Sequence, residues 1–112
     1  MNYSYNGIGE VSATFAVQEA LSLPVGFAVK MTANGEVGPC LNGEGFVGIV
    51  ESCRAGCAAV QIGGCVQMYY SGSDPAVGYT KLVANGGGGV CVGEGREYLV
   101  LSVHDGIAEI ML

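Results

Sequence analysis

His104 is the only histidine in the sequence, and its neighbours Ser102 and Asp105 supply the other residue types of a hydrolytic triad. A nucleophilic serine needs a base within hydrogen-bonding reach, and that base needs a third group to orient it. Ser102 and His104 share one face of a strand, but the two-residue period of any strand produces this relation. The ordinary interpretation is a histidine that flanks the Asp105-Gly106 turn, and a small hydrolase is the competing hypothesis.

Five cysteines offer thiol chemistry, but their spacing does not match a metal site. Cys53 and Cys57 are separated by three residues, whereas Cys40, Cys65 and Cys91 stand singly. Structural zinc sites use two closely spaced pairs, or cysteines combined with histidines. A thioredoxin-like motif would need two intervening residues in a βαβ context. We therefore expect no metal and no cofactor, and reduced thiols in a protein made in the cytoplasm.

Glycine clusters at residues 86–89 and 93–95 have the composition of a phosphate-binding loop. Such loops lead into a helix, whose first turn supplies the amide donors. Here both clusters lead into residues typical of strands, and no P-loop lysine follows. Turn glycines are therefore the better interpretation.

The amino-acid composition argues against several classes of function. The 112 residues suit one domain, half of them are hydrophobic, and only 12% are charged, about half the usual fraction. The net charge is -6 and the four basic residues are scattered, which argues against nucleic-acid binding, since that draws on many basic contacts. The ten acids could form a glycosidase pair only if the fold brought two together. Without tryptophan and with little length for a substrate cleft, the chain is not expected to be an enzyme, and no catalytic residue is assigned.

A sparsely charged, apolar chain must also shield part of its apolar surface from water. Large exposed apolar patches mark interaction sites. This favours a homo-oligomer or a protein docked on a partner. No stretch reaches the roughly 18 apolar residues of a membrane span, and residues 1–10 lack a signal-peptide pattern. We expect no membrane association.

Short apolar runs separated by turn residues predict an all-β fold with little helix, a small barrel or sandwich of short antiparallel strands. Asn34-Gly35 and Asp105-Gly106 predict hairpins, with positive φ at both central residues. A helical turn is possible at residues 18–23, and Gly63-Gly64 predicts a bulge or bend. The run at residues 46–51 is apolar enough for a strand covered on both faces. The predicted strands are residues 11–17, 25–31, a short strand ending at Cys40, 46–51, 57–70, 78–84, 90–92, 97–103 and 107–112.

An internal repeat relates residues 25–52 to residues 77–103. A V-G-aromatic triplet, an A-N-G turn, a cysteine and a G-E-G triplet follow one another in the same order in both segments. Two copies of one β-unit would pack their apolar faces together. We therefore predict a single domain over residues 11–112, built by internal duplication.

Residues 1–10 precede this domain as a polar-aromatic arm that contains Asn2, Tyr3, Tyr5 and Asn6. A terminus of this kind is often loosely held. The functional interpretation is an arm that adds a strand to a neighbour's exposed edge, with the tyrosines as anchors.

Four short motifs occur in a recognisable order: G-F-V-G-I-V at residues 45–50, A-V-Q-I-G-G at 59–64, V-G-Y at 77–79 and E-I-M-L at 109–112. In this order the chain resembles the small head decoration proteins of tailed phages and prophages, the capsid-cementing type of lambda-like heads. The resemblance covers residues 23–112, and the five cysteines and an arm less rich in alanine and threonine depart from it.

The resemblance implies a structural protein made in the bacterial cytoplasm and carried on the virion capsid surface. It would bind the major capsid protein of a phage head, commonly as a homotrimer, and reinforce the shell. Asn2, Tyr3, Tyr5 and Asn6 then occupy the place of the capsid-contact arm. The alternative is another β-barrel binding module, or a fibre or tail interaction component, without catalysis.

Overall fold

The computed structural model describes residues 9–112, and strands make up most of this part of the chain. The all-β fold class is confirmed: the one helical element in this range is a 3-10 turn at Gln18–Ala20, shorter than the predicted residues 18–23. The strands are β1 (Val11–Val17), β2 (Ala28–Ala33), β3 (Glu36–Pro39), β4 (Gly48–Arg54), β5 (Cys57–Gly63), β6 (Cys65–Tyr69), β7 (Gly78–Ala84), β8 (Val90–His104) and β9 (Ile107–Met111).

The first five strands form a closed barrel in the order β1-β3-β2-β4-β5. β1 closes it by antiparallel pairing with β5. Among the strand pairs formed by residues 9–112, one differs from the expected antiparallel arrangement: β1 and β3 pair in parallel, with Ala16 beside Glu36 and Val17 beside Val37.

The last four strands form an antiparallel sheet in the order β6-β9-β8-β7. The chain passes from the barrel to this sheet at Gly64, which has a φ of 86° and separates β5 from β6. The bend predicted at Gly63-Gly64 is thus where the chain leaves the barrel.

Two hydrophobic cores result, one inside the barrel and one beneath the second sheet. Neighbouring residues of β2 serve different cores: Val29 lies in the barrel core and Ala28 in the sheet core. In β4, Val50 lies in the barrel core while Ile49 packs against the sheet core. Because side chains alternate across a strand, β2 and β4 form the wall between the cores. β4 is covered on both faces at this point, as its apolar sequence predicted.

A pair of aromatic rings joins the two halves. Phe46, just before β4, stacks on Tyr98 of β8 with ring centroids 4.8 Å apart and planes 11° from parallel. The Tyr98 hydroxyl donates a hydrogen bond of 3.1 Å to the backbone carbonyl of Phe46. Both residues are buried, so this contact fixes the barrel to the second sheet.

The hairpin predictions hold for the strand pairing but not for every dihedral angle. At Asp105-Gly106 both residues have positive φ, 50° and 77°, as a two-residue hairpin loop of this type requires. At Asn34-Gly35 only Gly35 does, with a φ of 67°. The prediction for Asn34 is wrong because the pairing of β2 with β3 shifts by one residue before this turn, between Met31 and Ala33.

The two strands predicted at residues 90–92 and 97–103 are one strand, β8. Its register with β7 shifts by four residues, from Leu82 opposite Val92 to Lys81 opposite Glu97. Residues 93–96 are the additional residues of β8 at this register shift. Gly93 and Gly95, which the sequence places between two strands, therefore lie in an irregularity within one continuous strand.

The two segments of the internal repeat occupy different sheets. Residues 25–52 supply β2, β3 and most of β4 to the barrel, with β3 and β4 on opposite edges of β2. Residues 77–103 supply β7 and nearly all of β8, which lies on a single edge of β7. The duplication itself stays a prediction.

Candidate docking surface

Ser102 and His104 lie on one face of β8, opposite Glu109 and Ile107 of β9. The Ser102 hydroxyl donates a hydrogen bond of 2.8 Å to Oε1 of Glu109, a largely buried carboxylate. Its proton is therefore directed at a carboxylate and not at the imidazole. Asp105, the third triad candidate, is exposed in the following turn. The structure thus places the three candidates near one another in the chain without the hydrogen bonds that a triad needs.

Cys53 and Cys57 are the two cysteines closest in sequence, and their side chains lie on opposite faces of one hairpin. Cys53 lies opposite Ala58 in the hairpin of β4 and β5, and Arg54 lies opposite Cys57. Because opposed residues share a face and successive residues alternate, Cys53 packs toward the barrel core while Cys57 is exposed. In residues 9–112 no three histidine, cysteine or acidic side chains are grouped as metal ligands would be.

Two other thiols are shielded from solvent. Burial, aided by the nearby carboxylate of Glu44, raises the pKa of Cys40 to about 11. Burial, together with the charge of Glu109, also raises the pKa of Cys65. A thiol with a raised pKa is a poor nucleophile at neutral pH, because the thiolate is the reactive form.

The glycine loop between β7 and β8 is organised by one side chain. Asn85 Oδ1 accepts hydrogen bonds from the amides of Gly87 (2.8 Å) and Gly89 (3.1 Å), and Asn85 Nδ2 donates to the Ser71 hydroxyl at 3.0 Å. The amides of Gly87 and Gly89 are therefore used within the loop and are not free to bind a phosphate. The loop leads into β8, as the turn interpretation requires.

This loop forms the floor of a small cleft that we call the Phe27–Tyr69 cleft. Phe27 is 39% exposed and Tyr69 is 72% exposed. A Cβ at Gly88 would lie 2.6 Å from ring atoms of Phe27, so the absence of a side chain lets the ring rest on the loop. The cleft has a volume of about 170 Å³ and is lined by Val25, Gly26, Phe27, Tyr69, Asn85 and Gly87–Gly89.

The lining of the Phe27–Tyr69 cleft contains no charged side chain. Aromatic residues are enriched and charged residues depleted at the centres of protein interfaces. The cleft is also smaller than the roughly 300–1,000 Å³ typical of small-molecule pockets. Its chemistry therefore suits an apolar or aromatic side chain of a protein partner.

A wider, open groove of about 610 Å³ lies on the barrel, beside Lys30, Met31 and Leu41. Its charged groups satisfy one another: Lys30 Nζ contacts both oxygens of Glu44, at 2.7 and 2.8 Å, and the Leu41 amide donates to the same carboxylate. The Lys30 hydrogen bond, followed by the Leu41 amide, lowers the pKa of Glu44. With the ion pair closed internally, this groove presents no free charge to a ligand.

The sequence-predicted arm residues Asn2, Tyr3, Tyr5 and Asn6 lie outside the described residues, and their role stays a prediction. The sequence marks Val25-Gly26-Phe27 and Asn85 only as parts of the repeat and Gly87–Gly89 only as turn residues, and it does not predict that they form a cleft with Tyr69. Phe27 and Tyr69 are 42 positions apart in the sequence. The only feature of the sequence that could have indicated a shared surface is that both residues are aromatic. Their proximity arises because Tyr69 at the end of β6 and Phe27 just before β2 both lie beside one glycine loop.

No protein-family model matches the chain, and a search of curated proteins gives no significant match either. Within residues 9–112 no helix is long and apolar enough to cross a membrane.

Proposed function

We propose that this chain is a structural protein of a tailed-phage or prophage head, which binds the major capsid protein and stabilises the assembled shell. It is made in the bacterial cytoplasm and ends on the capsid surface. It acts as a homo-oligomer, with a trimer favoured. Two features support this function: the order of the sequence motifs and the surface chemistry of the fold.

The Phe27–Tyr69 cleft is the observation that carries the proposal. Val25 and Tyr69 are exposed by 69% and 72% in the single chain, beside an uncharged floor of glycine backbone. Burying such side chains against a partner contributes about 25 cal/mol for each Å² of apolar surface. A cementing protein needs this kind of contact, because it holds a shell by adhesion and performs no chemical step.

The scaffold beneath the cleft supports this role. The backbone amide of Ala28 donates a hydrogen bond of 2.8 Å to the carbonyl of Gly88, which ties the start of β2 to the loop floor. Asn85 fixes the remainder of the loop. A preorganised surface loses little conformational entropy on binding, which favours a stable attachment.

The test uses heads assembled from a phage or prophage genome that carries this gene, with the gene deleted. Purified chain is added and bound protein is measured by co-sedimentation. The Tyr69→Ser variant should bind at least about tenfold more weakly, since exposed aromatic anchors dominate interface energies. Tyr79→Ser is the matched control, because Tyr79 is equally exposed (73%) on the opposite edge strand, β7.

If wild type and Tyr79→Ser bind to the heads and Tyr69→Ser does not, the result supports both the capsid as partner and the Phe27–Tyr69 cleft as the contact surface. A chain that stays in the supernatant at every concentration would contradict the proposed function. A truncation that removes residues 1–8, and with them Asn2, Tyr3, Tyr5 and Asn6 of the predicted arm, measures the contribution of these residues separately.

A further inference from the structure

Three Asn-Gly pairs lie in the described part of the chain, and their surroundings differ. They are Asn34-Gly35, Asn42-Gly43 and Asn85-Gly86. The Asn-Gly dipeptide is the least hindered place for a backbone amide nitrogen to attack the preceding side-chain amide, because glycine has no Cβ. Whether the attack occurs depends on how freely the asparagine side chain and the next nitrogen can approach.

Asn85 and Asn42 are both restrained. The side chain of Asn85 is held by its hydrogen bonds with Gly87, Gly89 and Ser71. At Asn42 the restraint falls on the attacking group, since the Gly43 amide donates a hydrogen bond of 2.8 Å to the carbonyl of Ala84. In each pair one of the two reacting groups is engaged elsewhere.

Asn34 lies at the tip of the β2–β3 hairpin, where it, Ala33 and Gly35 are all exposed. The nearest side-chain hydrogen bond passes beneath the turn, from the Thr32 hydroxyl to Glu36. None of the side-chain hydrogen bonds among residues 9–112 involves Asn34.

We propose that Asn34 is a site of spontaneous deamidation, and that the fold protects Asn42 and Asn85 from the same reaction. The Gly35 nitrogen loses its proton to solvent base and attacks Cγ of Asn34. A new N–Cγ bond forms, the Cγ–Nδ2 bond breaks, and ammonia leaves. Water then opens the five-membered succinimide at either carbonyl, giving aspartate or isoaspartate.

The modification has a structural consequence for the pairing of β1 with β3. The Gly35 carbonyl accepts a hydrogen bond of 2.9 Å from the amide of Ala16, beside the parallel pairing of β1 with β3. Isoaspartate inserts an extra methylene into the backbone one residue before this carbonyl. The extra methylene therefore strains the barrel where β1 pairs with β3. Deamidation also adds a negative charge to an already acidic chain.

The test incubates the full-length folded chain at mildly alkaline pH in water enriched in oxygen-18, followed by proteolysis and fragment-ion mass spectrometry. Asn34 should acquire the deamidation mass, with oxygen-18 incorporated, about tenfold faster than Asn85, the factor that one or two net hydrogen bonds are worth. The Asn34→Gln variant should lose this signal, and Asn42→Gln should keep it. Ser71→Ala, which removes one restraint on Asn85, should accelerate reaction at Asn85.

The same incubation in denaturant identifies the origin of the difference, because all three pairs should then react at similar rates. Equal rates at the three sites in the folded chain would overturn the proposal. So would an Asn34 that reacts in denaturant but stays unmodified in the folded chain.

Discussion

Gly48 and Gly45 are three residues apart, yet only one of them needs to be glycine. A Cβ on Gly48 would collide with the backbone carbonyl of Gln61 on β5, whereas a Cβ on Gly45 meets nothing within 4 Å. We expect Gly48→Ala to reduce the free energy of unfolding by about 1–3 kcal/mol, the usual cost of overpacking. Gly45→Ala should leave it nearly unchanged. Urea unfolding of both variants checks the prediction, and equal midpoints would contradict the close approach of β4 and β5.

Thiol reactivity gives a second prediction at this scale. Cys57 is exposed, while Cys40 and Cys65 are buried and have raised pKa values. In the folded chain a maleimide or disulfide reagent at neutral pH should label Cys57 first and Cys40 and Cys65 last. Peptide mapping after timed labelling measures the order. Early labelling of Cys65 would mean that β6 opens more easily than its burial implies.

The Lys30–Glu44 pair makes a pH prediction with a definite sign. Because the folded-state pKa of Glu44 is lowered below its ordinary value of 4.5, the pair stabilises the fold above that value. Its contribution disappears as the pH falls through the lowered pKa. The difference in urea midpoint between wild type and Lys30→Met should therefore be larger at pH 7 than at pH 3. A difference that does not change with pH would show that Lys30 acts through packing alone.

The conformation of a single residue could be predicted from the sequence only where the local turn geometry determines it. Asp105 adopts positive φ because the type I′ turn that suits a two-residue hairpin loop requires positive φ at both central residues. Glu109 could not be anticipated as a buried carboxylate, since its partner Ser102 is supplied by the pairing of β8 with β9. The same holds for Phe27 and Tyr69, whose proximity depends on two different sheets.

At the scale of the elements, the contact between Phe46 and Tyr98 connects the lead-in to β4 with β8. Tyr98→Phe keeps the stacking but removes the donor to a buried carbonyl, which costs about 1–3 kcal/mol when the acceptor stays buried. Tyr79→Phe is the matched control, because Tyr79 is exposed. Thermal unfolding should separate the two variants by several degrees. Equal melting temperatures would mean that the Tyr98 hydrogen bond adds nothing to the stability that the ring stacking provides.

Strand boundaries were predicted well where turn residues and alternation agree, as for β1 and β7, which match residue for residue. β8 was divided in the prediction because Gly93 and Gly95 are usually turn residues. Their real role is close packing: a Cβ on Gly93 would lie 2.7 Å from the Val83 side chain. The parallel pairing of β1 with β3 had no sequence signal, since it depends on how the barrel closes.

For the whole molecule, the shared wall of β2 and β4 predicts cooperative unfolding. Each of these strands contributes to the barrel core and to the sheet core, so neither core can be exposed without disturbing the other. Far-ultraviolet circular dichroism and tyrosine fluorescence should report one coincident transition in urea. Two separated transitions would show that the barrel and the second sheet fold independently.

Oligomeric state is the second prediction at this scale. An exposed apolar surface on a chain with 12% charged residues favours self-association, and the proposed function favours a trimer. Sedimentation equilibrium of the wild type and of Tyr69→Ser separates self-association from shell binding. If both proteins are trimers, Tyr69 is not needed for trimer formation and the cleft is available for the shell. A wild-type chain that stays monomeric at high concentration would contradict the trimer.

The most direct test of the proposed function is a cryo-electron microscopy difference map of heads assembled without this chain, before and after it is added. We expect ordered extra density at symmetry-related positions on the outer shell, with the Phe27–Tyr69 cleft facing the major capsid protein. A map without added density at saturating protein, or with the cleft turned toward solvent, would contradict it.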